Sequence, residues 1–180
     1  MAAISSFQED LGSSWILFSC EGSAEEVIIR KLATAGYLIC PDTSIIGITK
    51  KRGARDIERS FLDIDYDREL VIVRIHDSSS EAFKLGKLYE PRFKVYDVVT
   101  HREIEMLAII NEGRLADYEK VKNTMKPSAY CREVLGLKKV KRMEFLKDYW
   151  DPVRLKNAIL EYRRITQLKP GELCLADLLK

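Results

Sequence analysis

Three short, largely uninterrupted apolar runs constrain this chain more than anything else in it. Residues 14–19 read "SWILFS", residues 70–75 read "LVIVRI", and residues 93–99 read "FKVYDVV". Runs of this length and β-branched content are expected to be strands buried on both faces. Helical patterns lie between and after them. Val27, Ile28, Leu32 and Ala35 recur at helical spacing, with Gly36 as the stop. Ile57, Phe61 and Leu62 share one side of a short helix over 55–62. Phe83, Leu85 and Leu88 suggest a helix capped by Ser78–Ser80 and stopped by Pro91. Thr100 can cap a helix carrying Ile104, Leu107, Ala108 and Ile110.

Residues 37–40 read as a short second strand closed by Pro41-Asp42, and 45–49 as a further strand or an extended loop. Ser23 with Glu26 has the spacing of a capping box. Alternation of strand and helix predicts βαβ units. The expected fold is α/β, with a mainly parallel four-stranded sheet flanked by helices.

Beyond Glu112 the pattern turns helical and basic. Residues 118–125 can continue the preceding helix. Helices are expected over 128–135, 142–150 and 152–165, the last with Asp151 as cap and Pro152 at its first position. Residues 1–117 carry 15 basic and 20 acidic side chains, and residues 118–180 carry 15 and 8. This shift marks a core over 1–117 and a basic helical extension over 118–180, packed on the core.

The longest apolar runs are far shorter than the roughly 20 residues that cross a bilayer. No basic-then-apolar leader opens the sequence, so the expected address is the cytoplasm, with no membrane partner. Cys20, Cys40, Cys131 and Cys174 form no CxxC pair and are expected to be reduced and buried.

Ligands of parallel sheets sit at the carboxyl ends of the strands. Those ends deliver Glu21 after the first strand and Asp77 after "LVIVRI". Glu103 and Glu105 follow one turn into the helix after the third run. Hard carboxylate oxygens at neighbouring exits suit Mg²⁺ or Mn²⁺, which keep several waters. Such an ion can orient a water and offset charge on a phosphodiester. His76 and His101 share the same address and are candidate general bases. Glu25 and Glu26 read as first-turn helix charges. "DIDYD" (Asp63, Asp65, Asp67) lacks the Gly and Glu of a calcium loop and reads as an exposed turn.

Lys50, Lys51, Arg52 and Arg55 form one basic cluster. Lys138, Lys139, Lys141 and Arg142 form a second, and Arg163-Arg164 a third. Such clusters neutralise phosphates without reading sequence. Tyr130, Tyr149, Trp150 and Tyr162 lie among them, available for base stacking or for the core.

"WILFSCEGSAEEVIIRKL", "LVIVRIHDS" and "THREIEML" together resemble the TOPRIM domain, the topoisomerase–primase fold also found in OLD-family and RloB-like nucleases of phage defence. The resemblance covers roughly residues 14–112. It implies a role for Glu21 in catalysis or metal binding and for Asp77 in metal binding, hence Mg²⁺-dependent nucleic-acid cleavage. The family's Asp-x-Asp is here Asp77-Ser78-Ser79, so one carboxylate is a hydroxyl, with Glu103 or Glu105 available to compensate. That departure also fits a relative that binds nucleic acid or assembles with a partner without cleaving. A small-molecule α/β enzyme is the third class, and it requires a deep apolar pocket at the same edge.

Overall fold

The computed structural model describes residues 2–77, 82–100 and 103–180; the side chains of residues 2, 3 and 103 lie outside the described set. Four strands form one all-parallel sheet: β1 (Trp15–Cys20), β2 (Ile45–Thr49), β3 (Leu70–His76) and β4 (Lys94–Val99). Their order across the sheet is β2-β1-β3-β4. The helices are α1 (Ala2–Ser13), α2 (Ser23–Thr34), α3 (Ala54–Ile57), α4 (Glu103–Asn111), α5 (Leu115–Val121), α6 (Pro127–Glu133), α7 (Met143–Tyr149) and α8 (Pro152–Ile165).

The pleat of β1 and β3 divides their side chains between two cores. Ile16, Phe18 and Cys20 on β1 and Val71, Val73 and Ile75 on β3 face the larger one. It is completed by Phe7 and Leu11 of α1, Ile28 and Leu32 of α2, Leu146 of α7 and Leu155 and Ile159 of α8. Leu17, Leu70 and Ile72 face a smaller core closed by Ile57, Leu62 and Leu85. Both central strands are therefore covered on two sides, which is why their sequences are apolar except at Ser19, Arg74 and His76. Gly47 of β2 sits tightly against this core. A Cβ at that position would stand 3.1 Å from Leu17 Cδ1 and 3.3 Å from the Phe61 ring.

Several local expectations need correction. Residues 37–40 are not a strand of the sheet. Leu38 makes an isolated antiparallel bridge with Leu179, with Ile39 N donating to Leu178 O at 2.9 Å. The second strand is instead the run Ile45–Thr49. The cap of α2 is Gly22, not Ser23, so the third helical position is Glu25 rather than Glu26. The Glu25 carboxylate interacts with the Gly22 N–H, which is the backward half of a capping box moved by one residue.

Residues 82–93 form no helix. They turn over 87–92, tied by Tyr89 OH to Asp63 and by Arg92 to Asp65. Ser78–Ser80, expected to cap a helix there, lie outside the described residues. The 55–62 helix is one α-turn followed by one π-type turn, Glu58–Leu62. The helix over residues 118–125 does not continue α4, because Gly113 at φ +67° reverses the chain. The division after residue 117 falls inside α5, and the larger core draws on both sides of it.

Asp151 caps α8 as expected, accepting from Val153 N and Arg154 N at 3.0 and 3.1 Å. Residues 173–179 complete the main core. Leu173 bridges Val98, Leu179 bridges Leu38, and Leu175 and Leu178 are buried between them. No helix among the described residues is long and apolar enough to cross a membrane.

Candidate functional site at the carboxyl ends of the strands

The face of the sheet that holds the smaller core turns polar towards the strand exits. Ser19 on β1, Arg74 and His76 on β3 and Asp97 on β4 follow the apolar residues on that face, and Arg74 pairs across the ladder with Asp97. Arg74 and His76 are 3% and 4% exposed, whereas half of the Asp97 side chain reaches solvent. Asp97 Oδ1 accepts from Arg74 Nη1 at 2.8 Å and lies 2.9 Å from His76 Nε2. An ionised carboxylate only accepts, so the His76 Nε2 carries the proton in that bond. The Arg74 guanidinium also lies 4.3 Å from the centre of the Phe83 ring. Partial burial pushes the Asp97 carboxyl up, but the His76 bond and the Arg74 charge outweigh it and hold it below the usual range.

Glu21 leaves β1 beside this group. Its Oε2 accepts from the Asp77 N–H at 2.8 Å, and its Oε1 lies 3.6 Å from Arg52 Nη1. Glu21 and Asp77, far apart in sequence, therefore abut at adjacent exits. Ser19 Oγ donates to the Lys51 carbonyl at 2.7 Å, which fixes the basic segment after β2 against β1. Lys50 Nζ reaches Ser23 Oγ at 3.3 Å. Burial and the neighbouring Glu21 push the Glu25 carboxyl up, opposed by N–H donors and the charge of Lys141.

Glu105 occupies the first turn of α4 and is 7% exposed. Its Oε1 pairs with Lys141 Nζ at 3.2 Å. Its Oε2 is buried without a hydrogen-bond partner. Lys138, Lys139, Lys141 and Arg142 line an open groove of about 280 Å³ together with Glu105, Ser128 and Arg132. The side chain of Glu103 and all of His101 lie outside the described residues. Among the described residues no three His, Cys, Asp or Glu side chains are grouped to hold a metal ion. Glu21, Asp77 and Glu105 alone thus form no such site.

Of the aromatic residues open to base stacking or to the core, Tyr130, Tyr149 and Trp150 take the second role. Tyr130 and Trp150 are buried, with Tyr130 edge-on to Tyr118 and Trp150 edge-on to Tyr149. Tyr149 OH donates to Glu112 at 2.6 Å and accepts from Asn111 at 2.8 Å. These rings are engaged in packing rather than presented to a ligand. Arg55 stands at the start of α3, and Arg164 is paired with Glu161 at 2.7 Å.

Sequence reasoning missed Asp97, Arg74 and Ser19. The available signal was the polar residue within each of three otherwise apolar strand patterns. It becomes informative only once the register aligns them.

Fold and rim together define a small parallel α/β protein with a mixed acidic and basic edge at its strand exits. Comparison with family models, curated proteins and solved structures finds no match to this chain.

Proposed function

We propose that this chain binds nucleic acid through its phosphates, along the carboxyl-end rim of the sheet. One observation carries the reading: two basic segments remote in sequence both reach the acidic residues at the strand exits, where Glu25 feels both Glu21 and Lys141. Lys50 meets Ser23 and Arg52 meets Glu21 on one side, and Lys141 meets Glu105 on the other. Among the described residues Lys51, Lys138, Lys139 and Arg142 have no ion-pair partner, so their charge is available to an anion. The TOPRIM resemblance leads to the same rim.

Anisotropy of labelled single- and double-stranded DNA and RNA oligonucleotides, titrated with protein at several salt concentrations, tests the reading. The logarithm of affinity should fall linearly with the logarithm of salt. Lys51→Gln combined with Lys139→Gln should reduce that slope by about 1.5, from roughly 0.7–0.9 per phosphate contact. No binding of any oligonucleotide at about 50 mM salt, where such contacts are strongest, defeats it.

A second reading is Mg²⁺- or Mn²⁺-dependent phosphodiester cleavage of TOPRIM type. It is favoured by the contact between Glu21 and the Asp77 amide, which brings two carboxylate-bearing residues together. Glu21 and Asp77 are the residues to which the TOPRIM resemblance assigns the ion, although they belong to no group of three metal-ligating side chains among the described residues. Calorimetric titration with Mn²⁺ separates the two. Heat abolished by Glu21→Ala and by Asp77→Ala supports cleavage, and no heat leaves a binding or assembly subunit.

A further inference from the structure

The basic groove beside α4 contains a carboxylate, and that carboxylate changes which cations in it can serve a ligand. Glu105 is largely removed from water, and one of its oxygens has no donor among the described residues. Among the described residues the cation paired with it is Lys141, at 3.2 Å. A buried ion whose one partner is withdrawn is left uncompensated, at a cost of several kcal/mol. Lys141 is therefore held to Glu105, although half of its side chain is exposed.

The other cations of the groove differ. Lys138, Lys139 and Arg142 have no ion-pair partner among the described residues. Arg132 of α6 pairs only with its exposed neighbour Glu133, an interaction that solvent screens to little net value. Ser128, one turn before Arg132, adds a hydroxyl on the same wall. Residues 138–142 thus present two kinds of positive charge: one neutralised internally, and several facing outward.

We propose that Arg132 and Ser128 join Lys138, Lys139 and Arg142 in holding the phosphates of a nucleic acid, while Lys141 is withheld from the ligand by Glu105. This rests on the binding reading above and extends it to named residues. Glu105 then limits the affinity of the groove, because it removes one cation from the set that displaces counterions. Phosphate recognition here is spread over two elements, α6 and the 138–142 segment, that share no sequence motif.

The test is the salt dependence of oligonucleotide binding, measured by anisotropy, for the parent and four variants. Arg132→Gln should lower the slope by about 0.7–0.9, one contact. Lys141→Gln should leave it at the parent value. Glu105→Gln, which frees the ammonium, should raise it by about the same 0.7–0.9. Adding Lys141→Gln to Glu105→Gln should return it to the parent value. Circular dichroism melting of each variant establishes that it is folded, and the double variant removes both charges, so it keeps no unpaired buried ion.

A Lys141→Gln slope reduced as much as that of Arg132→Gln overturns the proposal. An Arg132→Gln slope equal to the parent's overturns it as well. A parent that binds no oligonucleotide removes the binding reading itself and this inference with it. A binding parent with the wrong pattern of slopes removes the inference alone.

Discussion

Asp97 links a buried guanidinium and a buried imidazole to solvent. Arg74 and His76 sit on one face of β3, and without the Asp97 carboxylate each would lose a charged partner in a place water scarcely reaches. Hydrogen bonds to charged groups contribute about 1.5–3 kcal/mol, and the half-exposure of Asp97 argues for the lower end. Asp97→Asn is expected to cost about 1–2 kcal/mol at pH 7 in urea unfolding. The acid dependence has a definite sign. The folded value of Asp97 is depressed, so its contribution is complete above the ordinary aspartate value of 3.8. It disappears as the pH falls through the lower folded value. The difference in stability between parent and variant should therefore shrink on going from pH 7 to pH 3. An unchanged difference would mean that the carboxylate charge is immaterial to the fold.

Elements followed the sequence closely wherever one physical rule dominated. The strands Trp15–Cys20 and Leu70–His76 were legible because burial on both faces leaves apolar residues at nearly every position. α8 was legible because Asp151-Pro152 states its own start: the carboxylate accepts two orphan N–H groups, and the proline needs none. Asp151→Ala should lower stability by about 1 kcal/mol, read as a lower midpoint in thermal unfolding, while Asp151→Ser should restore most of it. Residues 82–93 misled because Phe83, Leu85 and Leu88 look periodic. Leu85 is buried under the smaller core, whereas Leu88 is 68% exposed, and the segment's own backbone bonds close only turns over 86–93, which Asp63 and Asp65 tie down from outside. Residues 37–40 misled for the opposite reason. Leu38 and Cys40 are as buried as strand residues, but their backbone partners come from the far end of the chain. No local pattern contains a partner some 140 residues away. The acidic rim was similarly half legible. Strand ends gave Glu21 and Asp77, but the pairing of Glu105 with Lys141 depends on how α4 meets the 138–142 segment.

Across the whole molecule, the cysteines report on the larger core, through Cys20 and Cys40, and on a separate cluster in which Cys131 packs with Met106, Ile109, Tyr118 and Tyr130. All are buried. Burial pushes the Cys40 thiol up to about 11 and that of Cys131 up to about 12, and raises that of Cys20 further. Since only the thiolate is an effective nucleophile, the native protein should resist alkylation by iodoacetamide at pH 8, whereas four thiols should react together in denaturant. Rapid labelling of one thiol under native conditions would identify a region that opens independently of the rest.

The clasp formed by residues 173–179 also bears on how the protein is made. The strands, α2 and residues 37–39 leave the ribosome before the residues that close over Leu38 and Val98. Until residues 173–179 have been made, that part of the main core lacks its cover, and its exposed apolar surface favours association with other chains.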